Sequence, residues 1–128
     1  MAVKQITVWC QNRPGQMAKI TGALAARGVN ISGLFASDQT GKCAVRLLVS
    51  NAARARAAAR SAGYRVSNEP AVVLNLADKP GQLARAAGKL ARGRVNIRYA
   101  YATVSPGAKR ANIVFGVGNA AAAKRALR

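Results

Sequence analysis

A polar turn that occurs twice is the part of this chain best suited to binding a small molecule. The tripeptide Pro-Gly-Gln at residues 14–16 recurs at residues 80–82, and in both copies a helical pattern follows it. The first backbone N–H groups of a helix have no partner within the helix and favour an anion, and glycine lets a ligand approach the backbone closely. The predicted chemistry is recognition of a small carboxylate by backbone N–H groups.

The turn belongs to a longer phrase that repeats at a constant spacing of 66 residues. A period of that length indicates two duplicated modules rather than a solenoid. The candidate ligand-binding residues of the two copies are Asn12, Arg13, Pro14, Gly15, Gln16, Met17, Asn30 and Ile31, then Asp78, Lys79, Pro80, Gly81, Gln82, Leu83, Asn96 and Ile97. Asn30 and Asn96 could supply an amide to the polar end of a ligand. A plainer interpretation stays open, in which Asn12 and Asp78 are ordinary cap or turn residues.

Each copy is predicted to be one strand-helix-strand-strand-helix-strand module. In the first, Ile6, Val8 and Cys10 alternate with polar neighbours, which is the period of a half-buried strand. The predicted strands are 3–10, 29–36, 43–49 and 64–67, with one helix from Gly15 to a cap at Gly28 and another at 52–62. The first helix should bury Met17, Ile20, Thr21 and Leu24.

The second module is predicted to repeat this order without the last strand. Strands are predicted at 71–77, 95–104 and 108–117, and helices at 81–92 and from Asn119 to the end at Arg128. Hairpin turns are expected at 37–41 and 105–107. The predicted domains are 1–68 and 69–128, the second truncated after its second helix, with residues 67–70 as the linker. In the second module Arg94 stands where the first has Gly28, so a differently wound helix end is expected there.

The order of elements predicts an α+β fold of two ferredoxin-like βαββαβ modules. Right-handed connections place the third strand between the first and second, with both helices on one face of an antiparallel sheet. Cys10 and Cys43 would then be neighbours, with the parity of core residues. We interpret both as reduced, buried hydrophobic residues rather than redox groups.

The sequence contains few residues that are suited to catalysis or metal binding. The chain has no histidine, three carboxylates and two cysteines, so acid-base catalysis and a zinc site have almost nothing to use. We predict no enzyme activity, no cofactor and no metal. No apolar run reaches the roughly 20 residues that span a bilayer, and we expect a cytoplasmic protein without membrane contact.

The Pro-Gly turn after the first strand and the Val-Asn-Ile start of the second strand, both present twice, resemble the ACT domain family. The resemblance covers nearly the whole chain. It implies a non-catalytic regulator that senses an amino acid, with ligand held at the seam between the turn of one module and the start of the second strand of a neighbouring one. It also implies an enzyme that the protein regulates. Modules of about 60 residues are marginally stable alone because they bury too little of their surface, so we expect paired modules and a homodimer.

A net charge of +18 favours a different partner, nucleic acid. Arg85, Lys89 and Arg92 form a basic stripe on the predicted third helix. The aromatic residues with which some ferredoxin-like sheets stack RNA bases are missing from the third strands, where only Phe115 occurs, at a core position. Nucleic-acid binding is therefore the alternative function, and a purely structural partner of an enzyme subunit is the third. The same outer-face parity puts Gln5, Thr7 and Trp9 together, and an exposed Trp9 there would be covered by another module.

Overall fold

The computed structural model describes residues 4–39, 41–103 and 107–128. The strands are β1 Gln5–Gln11, β2 Ile31–Gln39, β3 Lys42–Val49, β4 Arg65–Ser67, β5 Ala71–Ala77, β6 Ile97–Thr103 and β7 Arg110–Val117. The helices are α1 Gln16–Ala26, α2 Ala52–Ser61, α3 Gln82–Arg92 and α4 Ala120–Leu127. The predicted strand ends at Val3 and Val104 and the turn residues Thr40, Ser105 and Pro106 lie outside the described residues. In the described part of the chain, none of the helices has the length and apolar character needed to cross a membrane.

Contacts divide the chain into two compact units, 2–69 and 70–128. In the first unit the sheet order is β2-β3-β1-β4, and every neighbouring pair is antiparallel. The predicted position of β3 between β1 and β2 is confirmed. Cys10 lies directly opposite Cys43 in the β1–β3 ladder, as the parity of the two strands predicted.

The core of the first unit lies between the sheet and the helices. Ile6 and Val8 of β1 are fully buried against Ile20 and Leu24 of α1 and against the alanine face of α2. Met17 is an exception to the predicted helix face, since 37% of its surface is exposed. It lies in the first turn of α1, beyond the end of the core.

The second unit has the sheet order β5-β7-β6, again antiparallel. Phe115 and Val117 of β7 pack with Leu90 of α3 and Ala123 of α4. Three strands and two helices are the elements of this unit in the described residues, which leaves β5 at the edge of its sheet. The predicted α+β class with ferredoxin-like modules is confirmed, and the described residues of the second unit contain no strand after α4, as predicted.

Both modules end their first helix with a residue in the left-handed conformation. Gly28 N donates to Ala25 O at 3.0 Å, with a left-handed φ of 71° at Gly28. In the second unit Arg94 N donates to Ala91 O at 3.0 Å, and φ at Arg94 is 58°. Arg94 thus adopts the left-handed conformation that glycine adopts in the first module. The expected difference in winding is confined to the preceding residue, since Arg27 N donates to Leu24 O whereas Gly93 N donates to Lys89 O.

The outer face of the first sheet carries buried polar side chains. The Arg46 guanidinium donates to Glu69 through Nε to Oε1 at 2.9 Å and through Nη2 to Oε2 at 3.3 Å. Thr7 Oγ1 also donates to Glu69 Oε1, and both Thr7 and Arg46 are buried. Trp9, on the same face, is half-buried, and its Nε1 donates to Ser67 Oγ of the neighbouring strand β4 at 2.8 Å. Cover of this face by another module stays a prediction.

Candidate ligand site

The first helix of each module begins without a side-chain cap. Gly15 and Gly81 are the N-cap residues, with left-handed φ values of 87° and 90°, and neither helix start has a side-chain cap hydrogen bond. The second helix of each module differs, since the Oδ1 atoms of Asn51 and Asn119 each accept a first-turn N–H at 3.0 Å. The helices begin at Gln16 and Gln82, one residue later than predicted, because the glycine φ is not helical. Gln16 N donates to Arg13 O and Gln82 N donates to Lys79 O, each at 3.4 Å, and the other first-turn N–H groups of α1 and α3 have no side-chain cap.

A cleft of 370 Å³ lies beside the turn of the first unit. Its floor and walls come from the end of β1, the turn, the start of β3 and the segment that enters β4. The lining residues are Trp9, Cys10, Gln11, Arg13, Gln16, Lys42, Gly63, Tyr64 and Arg65. Two of the residues predicted for the site, Arg13 and Gln16, are among them.

A tyrosine fixes the polar side of the cleft. Tyr64 Oη donates to Gln16 Oε1 at 2.7 Å, so it orients the first side chain of α1. Burial and the nearby Cys10 thiol raise the pKa of the Tyr64 hydroxyl, and the positive charge of Arg13 partly offsets that rise. The hydroxyl is therefore protonated at neutral pH and acts as a hydrogen-bond donor.

The charged residues of the cleft are all cations. Arg13, Lys42 and Arg65 line it, and none of the described lining residues is acidic. Arg65 lies over the Trp9 ring, with its guanidinium carbon 5.3 Å from the ring centroid. A cleft with this lining attracts small anions such as carboxylates.

Within the first unit, the predicted site residues fall into two separate groups. Residues 12–17 lie together at the turn, whereas Asn30 and Ile31 lie at the start of β2. The turn follows Gln11, which pairs with Lys42 at one end of β3, and Ile31 pairs with Val49 at the other end. Seven residue steps of about 3.3 Å put the two groups roughly 23 Å apart. One module cannot therefore bring both groups to the same small ligand.

The second unit has the same arrangement. Residues 78–83 form its turn after Ala77, which pairs with Arg110, while Asn96 and Ile97 lie where β6 pairs with Val117. Both modules also carry a register shift just after the start of their second strand, between Ile31 and Gly33 and between Ile97 and Tyr99. Such bulges re-aim side chains, and sequence periodicity did not predict them.

Several cleft residues were missed in the sequence. Arg65 reaches the cleft because it pairs with Trp9 of β1, and Tyr64 directly precedes it; both are far from the turn in sequence, so the local pattern of the turn could not reveal them. Cys10 and Trp9 were assigned to opposite faces of β1 but both reach the cleft, because it opens at the end of the strand. The available signal was their place immediately before the repeated turn.

The elements of the two units define a tandem pair of ferredoxin-like modules. Residues 4–53 match the model of the ACT domain family. The second unit has the same order of elements, and together they fit a tandem ACT arrangement, as the resemblance implied. No curated protein matches the sequence.

Solved structures share this fold over nearly the whole chain. A protein from Bacteroides thetaiotaomicron is 25% identical with a TM-score of 0.86, covering 96% of this chain and 84% of its own. The ligand-free regulatory subunit of aspartate kinase from Thermus thermophilus is 20% identical with a TM-score of 0.71, covering 97% and 87%. The corresponding subunit from Thermus flavus is 18% identical with a TM-score of 0.57, covering 98% and 92%.

Proposed function

We propose that this chain is a non-catalytic regulatory protein that binds an amino acid or a similar small carboxylate at the turn before α1 and, by repetition, before α3. The observation that carries the proposal is the difference between the helix starts. Asparagine caps α2 and α4, whereas the glycine N-caps of α1 and α3 leave the first-turn N–H groups without a side-chain partner. The ACT match and the shared fold with regulatory subunits of aspartate kinase support the same role.

The ligand carboxylate would accept hydrogen bonds from the first-turn N–H groups of α1, with the helix dipole favouring its charge. Arg13 supplies a cation from the turn, and the Tyr64 hydroxyl holds the Gln16 side chain beside it. Lys42 and Arg65 add positive charge to the same cleft. The ligand's side chain would then extend towards Trp9 and Cys10.

The other end of the ligand would meet a neighbouring module. Asn30 and Asn96 lie too far from the turn of their own modules, so their amides can serve only a ligand held by the turn of another module. We propose a homodimer in which such pairs form, controlling an enzyme to which the protein attaches.

A screen against the common amino acids tests the proposal. A ligand that binds only the folded state raises the melting temperature, and Trp9, the single tryptophan of the chain, should report occupancy of the first cleft by its fluorescence. We expect at least one amino acid to produce both effects saturably. If every amino acid at millimolar concentration leaves both signals unchanged, the proposal fails.

Two matched pairs of variants locate the site. Arg13→Gln should weaken binding about tenfold or more, since hydrogen bonds to charged groups contribute about 1.5–3 kcal/mol, whereas Arg54→Gln on the exposed side of α2 should not. Gly15→Val and Gly81→Val should abolish binding at their modules by placing a side chain at the ligand's approach. Gly28→Val is their control, because it has the same left-handed strain, with open space at Cβ, at the far end of α1. Equal losses in Gly15→Val and Gly28→Val would mean that strain alone is responsible.

Nucleic-acid binding is the second candidate function, because the net charge of +18 favours a polyanionic partner. Arg85 and Arg92 are exposed on α3 and Lys89 is partly exposed. Phosphate contacts make affinity fall steeply with salt, whereas one enclosed carboxylate contact changes little. Arg85→Ala with Lys89→Ala should weaken RNA or DNA binding and leave amino-acid binding intact.

A further inference from the structure

The thiols of the first unit form a pair at the cleft. Cys10 and Cys43 face each other across the β1–β3 ladder, on the face that packs against the helices. Both are partly exposed, and Cys10 lines the cleft. At the equivalent rung of the second unit, Leu76 faces Ala111, so the fold does not require thiols there.

The backbone separation at this rung suits a disulfide. Lys4 O accepts from Val49 N at 2.8 Å, and Gly41 O accepts from Asn12 N at 3.4 Å. Hydrogen-bonded pairs therefore fall on every second residue between these two, which makes Cys10 and Cys43 such a pair, with about 5.5 Å between Cα atoms. Disulfides span Cα separations of about 4.4–6.8 Å.

Closing the bond needs the two Cβ atoms to approach each other by about 1.5 Å. Opposed Cβ atoms of a hydrogen-bonded pair lie near the wide end of the range of about 4.5–5.5 Å, whereas the mean separation in a disulfide is about 3.8 Å. The rung is the last but one of the ladder, since Gln11 and Lys42 form its final pair. The end of a ladder can narrow without disturbing the core, and a bond made under slight strain is also readily reduced again.

The cleft also suits a small disulfide with carboxylates. Arg13, Lys42 and Arg65 line it together with Cys10. Oxidised glutathione carries several carboxylates and a disulfide, so its charge complements these cations. Burial and the adjacent Cys43 raise the pKa of the Cys10 thiol, which makes the reaction slow at neutral pH and faster as pH rises.

We propose that Cys10 and Cys43 are a reversible modification site that exchanges with small-molecule disulfides of the glutathione class. The Cys10 thiol loses its proton to solvent and attacks one sulfur of the small disulfide, whose S–S bond breaks and releases one thiolate. The Cys43 thiolate then attacks the Cys10 sulfur of the mixed disulfide and expels the second thiolate. Two electrons and two protons pass from the protein to the small disulfide, which leaves as two thiols.

Native protein incubated with oxidised glutathione at pH 8, alkylated and analysed by intact and peptide mass spectrometry, tests this proposal without reference to any amino-acid ligand. We expect a monomer lighter by two hydrogen atoms, with no alkylated thiol and a cross-link between the peptides that contain Cys10 and Cys43. Reduced glutathione in excess should restore both thiols.

Single variants identify the order of the steps. Cys43→Ser should accumulate a glutathione adduct at Cys10, because no second thiol resolves it, and Cys10→Ser should react more slowly than Cys43→Ser. Melting curves of both variants establish that they are folded. Two unreacted thiols in the native protein under conditions that oxidise the unfolded chain would overturn the proposal, as would a persistent adduct in the wild type or a disulfide between two chains.

Discussion

Arg94 shows how the two modules solve one conformational problem with different residues. A non-glycine residue in the left-handed region is strained by roughly 1–2 kcal/mol, and Arg94 has φ of 58°. In the second module the glycine stands one position earlier, at Gly93, than the position of Gly28 in the first module. A Cβ at position 93 would lie 2.7 Å from Cβ of Ala126. Close approach of α4 to the end of α3 therefore requires glycine at 93, where the first module has arginine at the equivalent Arg27.

We predict that Arg94→Gly stabilises the protein by about 1 kcal/mol. The substitution removes the left-handed strain, and this gain exceeds the cost of the greater conformational entropy of the unfolded chain. Urea denaturation measures the free energy of unfolding. Gly93→Ala is the matched control, and it should destabilise through the clash with Ala126. A loss of stability in Arg94→Gly would contradict the strain assigned to this position.

Cys10 is expected to lower the free energy of unfolding as pH rises in the alkaline range. Because burial and Cys43 raise the pKa of its thiol in the folded state, the unfolded chain loses this proton first when pH passes the ordinary value of about 8.5. The contribution is fully present below that pH and is lost as pH rises. In reducing buffer, the wild type should lose more stability between about pH 8 and pH 10 than Cys10→Ala does. Parallel pH profiles for the two proteins would show that Cys10 contributes nothing.

At the scale of elements, the buried ion pair on the outer sheet face links β3 to the chain beyond β4. Arg46 is buried and hydrogen-bonds Glu69 in a two-point contact, and its Nη1 donates to Ser37 Oγ at 3.2 Å. Removing one partner of a buried pair leaves the other charge without compensation, which typically costs about 3–5 kcal/mol.

We therefore expect Glu69→Gln to lower the free energy of unfolding by about 3 kcal/mol, measured by urea denaturation. Arg46→Met combined with Glu69→Gln should recover much of that loss, since the double variant no longer buries a lone cation. Asp38→Gln, at an exposed carboxylate on β2, is the control for removing a negative charge. If the double variant were no more stable than the single one, the cost would not be electrostatic.

The elements differ in how far the sequence could predict them. Two-residue and helical periodicities, the Pro-Gly turn and the asparagine caps are local signals, so β1, α1, α2 and the order of the strands followed from them. The opposition of Cys10 and Cys43 also followed, because topology and parity determine it. Tyr64 at the cleft and Glu69 over Arg46 depend on packing between segments far apart in sequence, and no local pattern contains that information.

For the molecule as a whole, charge repulsion is the dominant electrostatic feature. The net charge is +18, and Glu69, one of three acidic residues, is already paired with Arg46. Salt screens repulsion between exposed charges beyond about 10 Å at 0.1 M, so the folded state should gain stability as salt is added. We predict that the melting temperature rises with sodium chloride concentration, and that Arg54→Glu with Arg85→Glu reduces this rise. A melting temperature that falls with salt would mean that attractive surface pairs outweigh the repulsion.

The contact between Glu69 and Arg46 also determines where the first unit can be cut. A fragment that stops at Asn68 would keep the Arg46 guanidinium and the Thr7 hydroxyl beneath the sheet face but remove the carboxylate that both of them contact. One further residue restores it. Anyone who truncates the gene to obtain the first module alone should therefore find a soluble, folded product for residues 2–69 and an aggregating one for residues 2–68.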